Sequence, residues 1–106
     1  MTTIDAVEYK SHAFYNCSNL TGTFAFKNGS IIGESAFENC RLKNVIISDT
    51  VITMGQSAFE GCSPLYSVVI GDSVTTLDIS VFRDCYYLMS VTIPDSVTSI
   101  KFSAFN

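Results

Sequence analysis

Cys85-Tyr86-Tyr87-Leu88-Met89-Ser90-Val91-Thr92-Ile93-Pro94-Asp95-Ser96-Val97-Thr98-Ser99-Ile100-Lys101-Phe102-Ser103-Ala104-Phe105 reads as one unit of a repeat. The same order of side chains runs from Cys62 to Phe82, where Leu65, Val68, Ile70, Val74 and Leu77 stand in for Leu88, Val91, Ile93, Val97 and Ile100. Further toward the N-terminus, Leu42, Val45, Ile47, Val51 and Met54 supply another copy. Phe14, Phe37, Phe59, Phe82 and Phe105 follow one another at steps of 23, 22, 23 and 23, and Cys17, Cys40, Cys62 and Cys85 each lie three residues after one of them. The one short step has a local origin, because Cys40-Arg41-Leu42 has one residue fewer than Cys62-Ser63-Pro64-Leu65. A fixed period of this length is the mark of a solenoid, in which no unit buries its own apolar stripe and like side chains stack in columns. About four and a half units of 22–23 residues fill the chain, and stability is expected to grow with their number.

Within a unit, Val68-Val69-Ile70 and Val91-Thr92-Ile93 are β-branched and read as short strands with one face inward. Asp72-Ser73 and Pro94-Asp95-Ser96 end them as turns, and Val74 to Leu77 brings the chain back in a second extended segment. Ser35 to Glu38 and Ser57 to Glu60 both spell Ser-Ala-Phe-Glu, the reciprocal helix-start signature, which predicts a one-turn helix ending near each cysteine. His12, Ser80 and Ser103 hold the same place as those serines in the other units.

With 47% apolar and only 15% charged residues, the 106-residue chain lies outside the composition range of disordered segments and is expected to form a single solenoid domain over residues 1–106, cut from a longer array. Six basic against ten acidic residues, with no Lys/Arg cluster, argue against nucleic-acid binding. No apolar run approaches the ~20 residues that span a bilayer. Met1-Thr2-Thr3-Ile4-Asp5 lacks the basic and apolar segments of a secretory leader. Read alone it would leave the chain in the cytosol, whereas a segment of a longer protein carries no such information.

The pattern Cys-x-x-Leu-x-x-Val-x-Ile-Pro-Asp-Ser-Val-Thr-x-Ile followed by Ala-Phe-x-x-Cys closely resembles the BspA-like, or Treponema-type, leucine-rich repeats over essentially the whole chain. The resemblance implies an α/β leucine-rich-repeat solenoid: curved, right-handed, mostly parallel β, with short one-turn helices. It also implies that the parent protein is a cell-surface or secreted adhesin, whose partners include host surface or extracellular-matrix proteins. The first unit departs from the pattern. There Thr23 and Ala25 stand where Val and Ile are expected, and Phe24 and Phe26 take the alternate positions. Glycine follows the last aliphatic residue at Gly33 and Gly55, but Asp78 and Lys101 replace it later.

Four cysteines raise the possibility of metal or disulfide chemistry, yet zinc sites want close pairs and these recur at the repeat period. A ladder of buried free thiols filling small apolar spaces is the expectation. Asp49, Asp72 and Asp95 form a second column. Stacked carboxylates could hold Ca²⁺, but turn aspartates ordinarily bond their own backbone two residues on, and no companion ligands with loop spacing accompany these. No cofactor is expected. His12 is the only histidine and no nucleophile or acid is tied to it by a motif; Gly29 and Gly33 lack the context of a phosphate loop, and no paired carboxylates suggest a glycosidase or other hydrolase. An enzyme is therefore not expected.

The residues that the period turns outward are the informative ones. They are Phe24, Ile46, Val69 and Thr92 on the strands, provided the first unit keeps the common register, with Lys43, Tyr66 and Met89 beside them. Apolar side chains in adjacent rungs make a contiguous exposed patch of the kind that marks a contact surface. The chain is read as a protein-binding or adhesion module on this face, the alternative being a structural spacer within a larger surface protein. Neither end shows a polar cap, so end-to-end self-association is also expected.

Overall fold

A computed structural model describes residues 3–4, 8–26 and 31–106. The β-branched segments form a front sheet in which β1 (Thr3–Ile4), β3 (Thr21–Phe26), β5 (Arg41–Ile46), β6 (Ser67–Val69) and β8 (Ser90–Thr92) lie side by side in that order. Every pairing is parallel, as a chain returning to the same face once per period requires. Register joins like to like: Val45 pairs Val68, which pairs Val91, and Ile46 pairs Val69, which pairs Thr92. Behind this sheet β2 (Glu8–Tyr9) pairs β4 (Ile31–Ile32), and β7 (Thr76–Leu77) pairs β9 (Ser99–Ile100).

Between front and back runs the column of rings. Successive pairs from Phe14 to Phe105 stack with centroids 5.2, 5.4, 5.7 and 5.6 Å apart and planes within 18° of parallel. Leu42, Leu65, Val45, Val68, Ile47 and Ile70 close the core on one side; Val51, Val74, Met54 and Leu77 close it on the other.

Two expectations fail here. No helix forms among the described residues; the Ser-Ala-Phe-Glu segments are runs of turns. Ser35, Ser57, Ser80 and Ser103 have φ between 56° and 59°, the left-handed region, whereas a helix-capping serine is extended. The reason lies in where the amides point. Ala36, Glu38 and Cys40 bond back three residues, to Gly33, Ser35 and Phe37, but Ser35, Phe37 and Asn39 donate sideways to Gln56, Ala58 and Glu60 of the next coil. A helix would turn donors such as Phe37 and Asn39 back along their own segment, and the bonds they make to the next coil would be lost.

The second failure is Phe24, expected to face outward but 2% exposed. The register shifts by one between Gly22, paired with Leu42, and Thr23, paired with Asn44. Gly22, at φ 80°, accommodates the kink. Phe24 thereby pairs with Val45 and turns inward with Phe26, both packing on Phe37 at 5.0 and 5.3 Å, while Ala25 takes the outward place.

The back of the stack is interrupted. Ile32 bridges to Met54, but among the described residues Met54 makes no such bridge to Leu77. A Cβ on Gly33 would lie 2.6 Å from the Tyr9 carbonyl oxygen, and one on Gly55 2.6 Å from the Glu34 nitrogen, so only glycine lets these corners close. Closed, they donate to Tyr9 and Ile32 at 2.7 and 2.8 Å. Asp78 carries a side chain into the same corner above Gly55. Its carboxylate accepts the Ile79 N–H at 2.7 Å, and a cavity of about 150 Å³ opens between Ile52, Thr53 and Met54 on one coil and Thr75, Thr76 and Asp78 on the next. Lys101 lies over another side chain rather than a glycine, and its amide reaches the Leu77 carbonyl at 2.9 Å.

Candidate partner-binding face

The outer face of the front sheet is built from the residues that alternate with the core. Ile46 and Val69, 42% and 45% exposed, are directly paired, and exposed Thr92 continues their column. Beside it runs a second column. Lys43 is exposed, Tyr66 half-exposed and Met89 74% exposed, and they are held in line by main-chain bonds from Tyr66 N–H to Lys43 and from Met89 N–H to Tyr66, 2.7 and 2.9 Å long. Six of the seven predicted surface residues are thus brought together; Phe24 is not among them.

Between the two columns lies a polar ladder that the sequence reading passed over. Asn44, Ser67 and Ser90 share a register row, with Ser67 Oγ 2.5 Å from Asn44 Oδ1 and Asn44 Nδ2 3.4 Å from Thr23 Oγ1. The signal was present, because Asn44, Ser67 and Ser90 recur at steps of 23. The ladder joins adjacent strands by their side chains, which fixes the flanking columns in place.

The thiols form a ladder. Cys40, Cys62 and Cys85 donate to the carbonyls of Phe14, Phe37 and Phe59 at 3.1, 3.2 and 3.3 Å, and all four cysteines are free. Burial pushes the thiol of Cys40 up to about 11 and that of Cys85 up to about 12, and raises Cys62 as well. Unfolded, these three thiols ionise near 9.0, whereas in the folded chain they still hold their protons at that pH. Folding stability is therefore expected to be intact below that pH and to fall as pH rises past it, through the folded value of Cys40 and toward that of Cys85. Alkylation of the native chain at pH 8 is expected to reach the half-buried Cys17 first. Melting curves across pH 7–11 and mass-mapped labelling check both; uniform labelling of all four would contradict the ladder.

In the Asp column, Asp49 is tied across to the next coil. Asp49 Oδ1 accepts the Asp72 N–H at 3.2 Å, and Ser73 Oγ donates to the Asp49 carbonyl. Among the described residues no three His, Cys, Asp or Glu side chains converge as a metal site would require. His12 is exposed, with Nδ1 2.8 Å from Ser11 Oγ and its ring edge-on to Tyr15 at 5.3 Å. No helix among the described residues is long and apolar enough to cross a membrane.

Parallel strands in register, a stacked ring column and side-chain ladders at a 22–23-residue period define a leucine-rich-repeat solenoid, an architecture that typically presents surfaces for protein–protein contact rather than catalytic centres. The family model described as "BspA type Leucine rich repeat region (6 copies)" matches residues 7–106, and the chain belongs to that family. Searches of curated proteins and of solved structures found no match.

Proposed function

We propose that the chain is a protein-binding module of a cell-surface or secreted protein, acting in adhesion through the outer face of its front sheet. The observation that carries this reading is the contiguity of Ile46 and Val69, exposed at directly paired positions and flanked by Tyr66 and Met89. Main-chain groups in the middle of that face are committed to strand pairing, so recognition falls to side chains. Tyr and Met suit such a task, being broad, apolar and adaptable. The partner would be a protein, with host surface and extracellular-matrix proteins the first candidates; the acidic net charge of −4 argues against nucleic acid.

The double variant Ile46→Glu/Val69→Glu is expected to weaken capture on an array of immobilised extracellular-matrix and host surface proteins at least ~10-fold, a loss of about 1.4 kcal/mol. Both side chains point to solvent, so the melting temperature is expected to stay within about 2 °C of the parent's. Unchanged capture would instead make the segment a spacer within a larger protein.

A further inference from the structure

The outer face of the front sheet carries charge of one sign. None of its five strands contains Asp or Glu, although the chain has ten, whereas β5 presents both Arg41 and Lys43 to solvent. Their exposure is built into the backbone. Where β3 and β5 fall out of step, Leu42 pairs Gly22 and Asn44 pairs Thr23, so Lys43 has no partner on β3 and its side chain is re-aimed outward. Arg41 keeps its place opposite Thr21. Two residues apart on one strand, the two cations are about 7 Å from each other, inside the ~8 Å Debye length of physiological salt, so one carboxylate placed over the strand feels both. Neither has an ion-pair partner among the described residues. On the same face Ile46 lies three residues beyond Lys43, with Val69 directly beside it. Farther on, the chain leaves the sheet through turns that hold Asp49, Asp72 and Asp95, an exposed acidic row. Along the strands the order is therefore cations, aliphatic patch, carboxylates.

We propose that the partner is a protein segment in which Asp or Glu lies beside aliphatic or aromatic side chains, setting its carboxylates over Arg41 and Lys43 and its apolar groups on Ile46 and Val69. The proposal rests on the front sheet being the binding face and adds the chemistry of what it binds. A wholly apolar segment would strip water from two cations and give them no counter-charge. A basic segment is repelled at β5. A nucleic-acid strand or a uniformly acidic chain carries its charge on past the aliphatic patch to the Asp row, where like charges oppose it. What fits is a segment whose carboxylates are gathered at one end. The sheet then sets its orientation as well as its composition, with the acidic end at the start of β5 and the apolar side chains toward Ile46 and Val69.

Selection of a random peptide library displayed on phage against the immobilised 106-residue chain tests the proposal. Peptides enriched on the wild type are expected to combine Asp or Glu with Leu, Ile or Phe. Their affinity is expected to fall at least ~10-fold in Arg41→Glu/Lys43→Glu and by less in Arg41→Gln/Lys43→Gln. Selection repeated on the charge-reversed variant is expected to enrich Lys or Arg in place of the acids, and Ile46→Glu/Val69→Glu is expected to lose both sets. All four altered positions are exposed, and circular dichroism with a melting curve confirms that each variant is folded. Peptides that depend on Ile46 and Val69 but show no acidic preference, or that bind the charge-reversed variant as well as the wild type, would overturn the acidic partner and leave the binding face standing. No enrichment on the wild type, or peptides indifferent to Ile46 and Val69, would overturn both. Retention on immobilised heparin that Arg41→Glu/Lys43→Glu abolishes, with no peptide enriched, would assign the two cations to a polyanion instead.

Discussion

Phe59→Ala is expected to lower the free energy of unfolding by about 3–5 kcal/mol. The ring is fully buried, stacked on Phe37 at 5.4 Å and on Phe82 at 5.7 Å, and a third ring, Phe26, meets its edge at 6.1 Å. Alanine would leave a ring-sized void walled by rigid side chains whose backbone is fixed by bonds from Phe59 N–H to Val81 and from Phe37 N–H to Ala58. The coils have no freedom to collapse into the space. Set against a total stability on the order of 5–15 kcal/mol for a chain of this size, the change takes a large share of the margin. Urea titration followed by far-ultraviolet circular dichroism reads it directly. A loss below about 1 kcal/mol would mean that the column is not what holds the coils together.

The second large effect is expected at Gly71. An added Cβ would lie 2.5 Å from the carbonyl carbon of Ser48 and 2.7 Å from the carbonyl oxygen of Ile47, with the Ser48 oxygen closer still. All of these are backbone atoms of the preceding coil, so no side chain can move aside. Relief would come only from parting the two coils, which the Ile47 N–H bond to Val69 and the β5–β6 pairing resist. Gly71→Ala is expected to cost at least about 1–3 kcal/mol, the range of overpacked cores, and to lower the melting midpoint accordingly. Gly22→Ala is the informative control. A Cβ there meets nothing within 4 Å, and its cost of about 1 kcal/mol comes only from the left-handed backbone. Equal losses at the two positions would show that coil spacing is soft.

The parts of the fold legible in the sequence were those set by period. The Phe, Cys and aliphatic columns follow from counting, because stacking repeats the same environment at the same step and selects the same side-chain size each time. What counting could not deliver was the competition between local and lateral bonds. Ser-Ala-Phe-Glu spells a helix start only if its amides are free to bond within the segment; here Ser35 and Phe37 donate to the next coil. Counting register through the first unit unchanged puts Phe24 outward. Gly22 marked the place where counting fails, since a glycine inside a strand pattern signals a bulge. On the candidate face, Ile46, Val69 and Thr92 were legible from alternation, whereas the role of Asn44, Ser67 and Ser90 depends on hydrogen bonds between strands that no single segment displays.

The replacement of glycine by aspartate at position 78 has a mechanical meaning. Three coils lie on one side of the resulting gap and two on the other, joined there by the front strands, the turn bonds and the ring contact between Phe59 and Phe82. Under tension or heat the stack is expected to part first along this line with the fewest cross-links, as two blocks rather than coil by coil. One departure from the repeat thus gives an otherwise even spring a preferred tear line, with the aromatic column as its hinge.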